Sequence, residues 1–286
     1  MTIGVNVKKI PAYLFCQHSG SVSVSGDVLK ITTVVFGEGS VCESIGNSAF
    51  SNCSSLTSIE IPDGVTSIGK MAFSNCSSLT GVYITDIEAW YNISFGDSYA
   101  NPLCYAKNLY LNNELVTELE IPNTVTEIKD YAFYGCESIT SITILDSVTS
   151  IGKDAFIYCA NLTSVTIGDS VTSIGNFAFS NCDSLTSIEI PDSVTSIGDY
   201  AFYFCRGLTS VVIGDSVTSI GESAFNYCSK LTSVYYKGTV EDWKNIQIDY
   251  NNNKLTSAER YYYSETTPSE SGNYWHYDEN GEIVVW

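Results

Sequence analysis

The chain is short of positive charge. Thirteen Lys and Arg stand against 32 Asp and Glu in 286 residues, a net charge of −19. Nucleic acid and anionic membrane are therefore excluded as expected partners, because both require clustered cations. An acidic surface keeps a protein soluble and, where charge selects a partner, favours a basic one. Histidine is scarcer still: His18 and His276 are the only two. There is no Cys-x-x-Cys pair. Most His-based nucleophilic arrangements and a zinc site thus lack their usual groups. No apolar run approaches the ~18–20 residues of a membrane-spanning helix. Met1 to Phe15 carries Lys8 and Lys9 with no long apolar stretch after them, so it does not read as a secretory leader. Nothing in the composition calls for a metal or another cofactor.

What is present is a period. Phe50 and Phe73 lie 23 residues apart, and Phe133, Phe156, Phe179, Phe202 and Phe225 keep the same step. Each is followed three residues later by a cysteine: Cys53, Cys76, Cys136, Cys159, Cys182, Cys205 and Cys228. A fixed repeat of this length predicts a solenoid, whose units bury their core only against neighbours. Seven of ten cysteines in one column read as small buried packing residues rather than disulfide partners.

Within one repeat, Ile188-Glu189-Ile190 alternates as a strand does, and Pro191-Asp192 breaks it. Val194 to Ile197 reads as a second short extended piece. Gly198 offers a backbone able to take positive φ, and Lys129 is the one departure from that glycine column. Ala-Phe-x-x-Cys predicts a single helical or 3-10 turn. The fold expected is a β-rich repeat solenoid: a curved array with a parallel sheet on its concave face. It divides into an N-terminal capping region at 1–30, a solenoid at 31–236 with an insert at about 85–115, and a C-terminal capping module at 237–286.

The unit L-T-S-I-x-I-P-D-S-V-T-S-I-G-x-x-A-F-x-x-C resembles the BspA-type leucine-rich repeat, and the likeness spans residues 31 to 236. The resemblance implies a leucine-rich-repeat solenoid, a surface-associated or secreted location, and adhesion or host interaction as the usual role. It supplies no catalytic residue to carry over, so the chain is expected not to be an enzyme.

The insert and the C-terminus share a module. Val82-Tyr83-Ile84 through Trp90 matches Val234-Tyr235-Tyr236 through Trp243, and each copy predicts a short helix, Ile87 to Tyr91 and Val240 to Lys244, whose Trp fills the core. Tyr274 to Tyr277, Asn280-Gly281 and Ile283 to Trp286 predict a hairpin with a type I′ turn covering the last coil's edge.

Two free columns are candidate binding surfaces. The middle strand residues Glu60, Tyr83, Glu120, Thr143, Thr166, Glu189, Val212 and Tyr235 are expected to line the concave face. Tyr131, Tyr134, Tyr158, Phe177, Tyr200, Tyr203, Phe204 and Tyr227 flank the core Phe and form an aromatic ridge, tyrosine being well suited to low-entropy contact. The alternative is that these rings pack over neighbouring coils. A host or cell-surface protein is the partner expected first and a glycan second, with a passive spacer as a third reading and a monomer as the expected state. Asp63, Asp146, Asp169, Asp192 and Asp215 share a turn column that reads as capping before calcium, since one carboxylate per coil falls short of the ~6–8 oxygens calcium takes. Asn52, Asn75, Asn92 and Asn161 open N-x-Ser/Thr triplets, which matter only in a glycosylating host.

Overall fold

The computed structural model describes residues 1–16 and 31–286. Residues 17–30, which include His18 and the second half of the expected N-terminal cap, lie outside the described residues. The chain divides into two compact units: unit 1 is Met1–Thr117 with Lys129–Ile139, and unit 2 is Glu118–Ile128 with Thr140–Trp286.

Each unit is a β-solenoid whose repeat coils give a strand of three or four residues to one sheet and a two-residue strand to another, while the first layer of unit 1 gives two-residue strands to both. In unit 1 Thr2–Ile3 and the longer strands Thr33–Phe36, Ser58–Glu60, Gly81–Ile84 and Leu109–Leu111 pair in parallel, and Glu114–Leu115 closes the edge antiparallel. Met1–Cys16 therefore forms a layer of its own: Ile10 pairs with Ile45, and Phe15 stacks on Phe50 at 5.1 Å. In unit 2 the short strands run without a break from Glu127–Ile128 to Gln247–Ile248. The longer strands form a three-stranded sheet from Glu118–Glu120 to Ser164–Ile167, and a six-stranded one from Ser187–Ile190 to Ile283–Val285.

Register is held at period 23 because like meets like. Phe156, Phe179, Phe202 and Phe225 stack at 5.1–5.5 Å. Cys182, Cys205 and Cys228 are free and fully buried, and each thiol donates to the carbonyl of the previous coil's Phe at 3.1–3.4 Å. Outside, the Thr163, Thr209 and Thr232 hydroxyls donate to Thr140, Thr186 and Thr209 carbonyls one coil back. Side chain and backbone thus specify the same pairing, which leaves no low-energy slip.

The Ala-Phe-x-x-Cys corners are hydrogen-bonded turns, and the short helices lie elsewhere. Positive φ falls on the residues two before and two after the Phe, such as Phe177 (58°), Tyr200 (58°), Phe204 (58°) and Tyr227 (59°). Left-handed backbone costs a non-glycine residue ~1–2 kcal/mol. Cross-coil bonds offset it: Phe177 N donates to Asp199 O at 2.9 Å and Tyr200 N to Glu222 O at 2.8 Å. The glycine column serves a different purpose from the one expected. Gly198 does not have positive φ; a Cβ there would lie 2.6 Å from Asn176 N and 2.7 Å from Gly175 C. These glycines let adjacent coils approach. Lys129 carries no left-handed strain, and its Nζ donates to Asn92 O at 2.5 Å.

The two module copies take the expected helices, Ile87–Tyr91 and Val240–Asn245. Asp86 caps the first helix, and a Thr239–Asp242 capping box starts the second. Trp90 and Trp243 are both buried. Trp90 Nε1 donates to Ala132 O at 3.0 Å, while the Arg260 guanidinium lies 3.9 Å from the Trp243 ring centre. The modules also extend both sheets, since Ser94–Phe95 pairs with Ser67–Ile68 and Gln247–Ile248 with Ser219–Ile220.

The C-terminal hairpin forms, with a turn that differs from expectation. Only Gly281 has positive φ (80°), while Asp278 N donates to Glu282 O and Gly281 N to Asp278 O. That is a three-residue loop ending on a left-handed glycine. The pair of left-handed central residues that a type I′ turn needs occurs instead at Asn112 (53°) and Asn113 (68°), between Leu109–Leu111 and Glu114–Leu115.

Candidate functional site

The aromatic column resolves into separate groups. In unit 2, five rings pack together on successive turn corners. Phe177 stacks on Tyr200 at 4.6 Å, and Phe204 on Tyr227 at 4.4 Å. Tyr203 joins them edge-on, 5.2 Å from Tyr200, 4.5 Å from Phe204 and 5.4 Å from Tyr227. Arg206 sits over the Phe204 ring at 4.8 Å, and Tyr200 Oη donates to Glu222 Oε1 at 3.2 Å. That bond raises the Tyr200 pKa, keeping its hydroxyl protonated. The rings do pack over neighbouring coils, yet they also stay open to solvent: four are half-buried and Tyr227 is 51% exposed. Tyr158 is exposed with φ 62° on a corner of the same unit. Tyr131 and Tyr134 belong to unit 1, half-buried with ring centres 6.4 Å apart. The left-handed corners that orient these residues escaped sequence reading; Asn52, Asn75 and Asn181, in the same column as Phe204, were the available signal.

The middle strand residues form rows along each sheet. In unit 2, Glu120, Thr143 and Thr166 align and are exposed. Glu189, Val212 and Tyr235 align next, but Val212 is a correction to the expected solvent-facing row: it is only 5% exposed. The cause is the C-terminal hairpin. Besides extending the sheet beside Glu259–Tyr263, it folds back over the face. Trp275, 0% exposed, packs edge-on against Tyr235 at 5.6 Å and donates through Nε1 to Tyr236 O at 3.1 Å. Tyr277 Oη donates to Glu189 Oε1 at 2.8 Å, and Lys237 Nζ pairs with the same oxygen at 2.9 Å. Burial and then the Glu189 bond push the Tyr277 pKa up. Burial tends to lower that of Lys237, but the Glu189 hydrogen bond and charge outweigh it and hold it raised.

In unit 1, Glu60 and Tyr83 pair in the row, and Tyr83 stacks on Tyr110 at 4.7 Å. Among the described residues nothing folds over this face. A recess of about 360 Å³ lies over it, lined by Val35, Glu60, Tyr83, Thr85, Asn112 and Asn113 among others.

The Asp column acts as coil-to-coil capping. Asp146 accepts from Asp169 N at 2.7 Å and Asp192 from Asp215 N at 3.3 Å, while Asp63 accepts from the Thr85 hydroxyl at 2.7 Å. Among the described residues no group of three or more His, Cys, Asp or Glu is placed to hold a metal.

A repeat with buried Phe and thiol ladders, period 23 and two parallel strands per coil matches the family described as BspA type Leucine rich repeat region, in six copies over residues 27–101, 105–232 and 149–258. The chain belongs to this family. Leucine-rich-repeat folds commonly mediate protein interaction, and BspA-type repeat proteins are typically non-enzymatic. A leucine rich cell surface protein from Faecalibacterium prausnitzii is 25% identical to this BspA-type chain, covering 87% of it and 90% of its own length, with a TM-score of 0.53. The pneumococcal vaccine antigen PcpA is 19% identical over 92% of this chain and 74% of its own, with a TM-score of 0.52, a likeness of fold. No curated protein matches the chain.

Proposed function

We propose that this BspA-type protein is a non-enzymatic binding module that recognises a host or cell-surface protein. The observation that carries the reading is the five-ring cluster of Phe177, Tyr200, Tyr203, Phe204 and Tyr227, partly exposed on corners whose backbone is fixed by cross-coil hydrogen bonds. Rigid tyrosines give contact area at small entropic cost, and tyrosine and arginine are enriched where interfaces concentrate their energy. Arg206 lies at the edge of the cluster. A surface location is supported by the likeness to the Faecalibacterium prausnitzii cell surface protein.

The test is binding of the purified protein to a panel of cell-surface and matrix proteins, beside the double variant Tyr203→Ser/Tyr227→Ser. Saturable binding that weakens at least about tenfold in the variant, with the melting temperature held, supports the reading. Binding to nothing on the panel counts against it. The parallel faces of Phe204 and Tyr227, 4.4 Å apart, also suit a sugar ring. A glycan array decides for that second reading if it lights up and the protein panel stays silent.

A further inference from the structure

The molecule carries two copies of one module, and one copy shows what lies against the sheet face it shares with the preceding coils. Strand pairing sets the correspondence. Tyr83 pairs with Tyr110 as Tyr235 pairs with Tyr261, and both pairs stack, at 4.7 Å and 5.2 Å. Stepping back one coil, Glu60 corresponds to Val212; stepping back two, Val35 corresponds to Glu189.

In unit 2 this face is filled by the chain's own hairpin, an extended segment that sets an indole against Tyr235 and a hydrogen-bond donor on Glu189. The carboxylate also receives Lys237. In unit 1 the same face is the open recess of about 360 Å³, within the usual ~300–1,000 Å³ of ligand pockets. Two differences define what it lacks. Thr85 stands in the place of Lys237, so the module supplies no cation at that position. Among the described residues, no ion pair or hydrogen bond engages the Glu60 carboxylate, which is half-exposed in the recess between an exposed Val35 and the Tyr83 ring.

We propose that the unit 1 recess receives an extended segment of a partner protein, which lays an aromatic ring against Tyr83 and places a Lys or Arg on Glu60. The inference rests on the protein-binding reading above and adds the site and the chemistry of the partner. The hairpin of unit 2 is the internal precedent for the extended backbone and the ring. The unanswered carboxylate, in a chain of net charge −19, sets the sign of the charge. A cation delivered there forms a charge-assisted hydrogen bond and gains attraction from the adjacent tyrosine face. The left-handed Asn112 and Asn113 at the rim offer amide groups to the incoming strand.

The experiment uses the full chain and a fluorescein-labelled, end-blocked peptide Trp-Lys-Tyr-Lys-Val, with a second peptide in which both Lys are Glu. Fluorescence anisotropy is expected to show saturable binding of the first and none of the second. Glu60→Gln, which preserves shape and removes charge, is expected to weaken binding about tenfold, and Tyr83→Ala at least as much, while Tyr250→Ser, on an exposed ring outside both candidate surfaces, leaves it unchanged. Glu60→Gln keeps the result readable if Tyr83→Ala disturbs the fold. Failure of the Lys peptide to saturate, or equal affinity for wild type and Glu60→Gln, overturns the proposal. So does an oligosaccharide that binds in a Glu60-dependent manner where the peptide does not. A partner from the panel lost with Tyr203→Ser but indifferent to Glu60→Gln overturns this site alone and leaves the protein-binding reading standing.

Discussion

The thiol of Cys205 donates to the backbone carbonyl of Phe179, 3.1 Å away in the preceding coil. The column repeats this bond at Cys53, Cys76, Cys182 and Cys228, always to the Phe one coil back. Each sulfur therefore fills a small apolar space and gives a second donor to a carbonyl that also accepts its own coil's Cys amide, as Phe179 O does from Cys182 N at 3.4 Å. Cys205→Val removes the donor and adds bulk; an increase in the free energy of unfolding in urea would contradict this account, and a loss of ~1–3 kcal/mol is expected.

The same burial sets a pH dependence. It raises Cys53 and Cys136 to about 11 and Cys228 to about 12, from an ordinary value of 9.0. A raised folded pKa means that the folded chain holds its proton where the unfolded chain releases it. The stabilisation is fully present below pH 9, falls between 9 and the folded values, and is lost once pH has climbed through 11–12. Each such thiol removes up to ~1.4 kcal/mol per pH unit in that window. Urea midpoints are expected to be flat between pH 7 and 8.5 and to fall steeply above 9.

Thiolate reagents report the same property from another side. In the native protein the half-buried Cys16 is expected to react with a chromogenic disulfide well before the column cysteines. Rapid labelling of Cys182 or Cys205 without denaturant would mean that the sulfur ladder is open to solvent.

Coil approach makes a sharper test. Gly198→Ala introduces a Cβ against backbone at 2.6 Å, which no side-chain movement relieves, so a cost of ~1–3 kcal/mol is expected. Gly39→Ala is the contrast: φ is positive (73°) but nothing lies within 4 Å, so only the milder conformational cost applies. Thermal melts of the two variants should rank Gly198→Ala as the less stable.

The hairpin supplies another. Trp275→Ala empties a fully buried site and frees Val212 and Tyr235, at an expected cost of ~3–5 kcal/mol. Hydrogen exchange should quicken along Ser210–Ile213 and Ser233–Tyr236, while Ser141–Ile144 keeps its protection. Uniform quickening across all three strands would deny the hairpin its local role.

Most of the interior was legible from sequence, because burial and the period point the same way at every coil. Phe, Cys and Ile columns recur at 23 and lie inside, and the duplicated Trp segments form the two expected helices. The errors share one physical origin. Glycine is expected to take the positive φ, whereas Phe177, Tyr200 and Phe204 adopt it because a neighbouring coil hydrogen-bonds their amides, and Tyr227 because its amide donates to Asn226 Oδ1. A local propensity does not reveal a tertiary hydrogen bond. Val212 was expected in solvent for a similar reason: Trp275 lies 63 residues further along the chain, beyond the reach of any repeat pattern. The open recess was invisible as well, since it depends on the hairpin turn at Asn112–Asn113 rather than on the consensus.

The threonine ladder has a consequence for the gene. Thr163 bonds to Thr140 and Thr209 to Thr186, each with the same geometry one step down. Excising residues 163–185 joins Leu162 to Thr186, restores the Leu-Thr junction and hands the Thr140 carbonyl to a new hydroxyl of the same kind. A recombination error that drops one whole period thus yields a shorter chain with its ladders rejoined, whereas a one-residue insertion in a strand shifts its side chains to the opposite face.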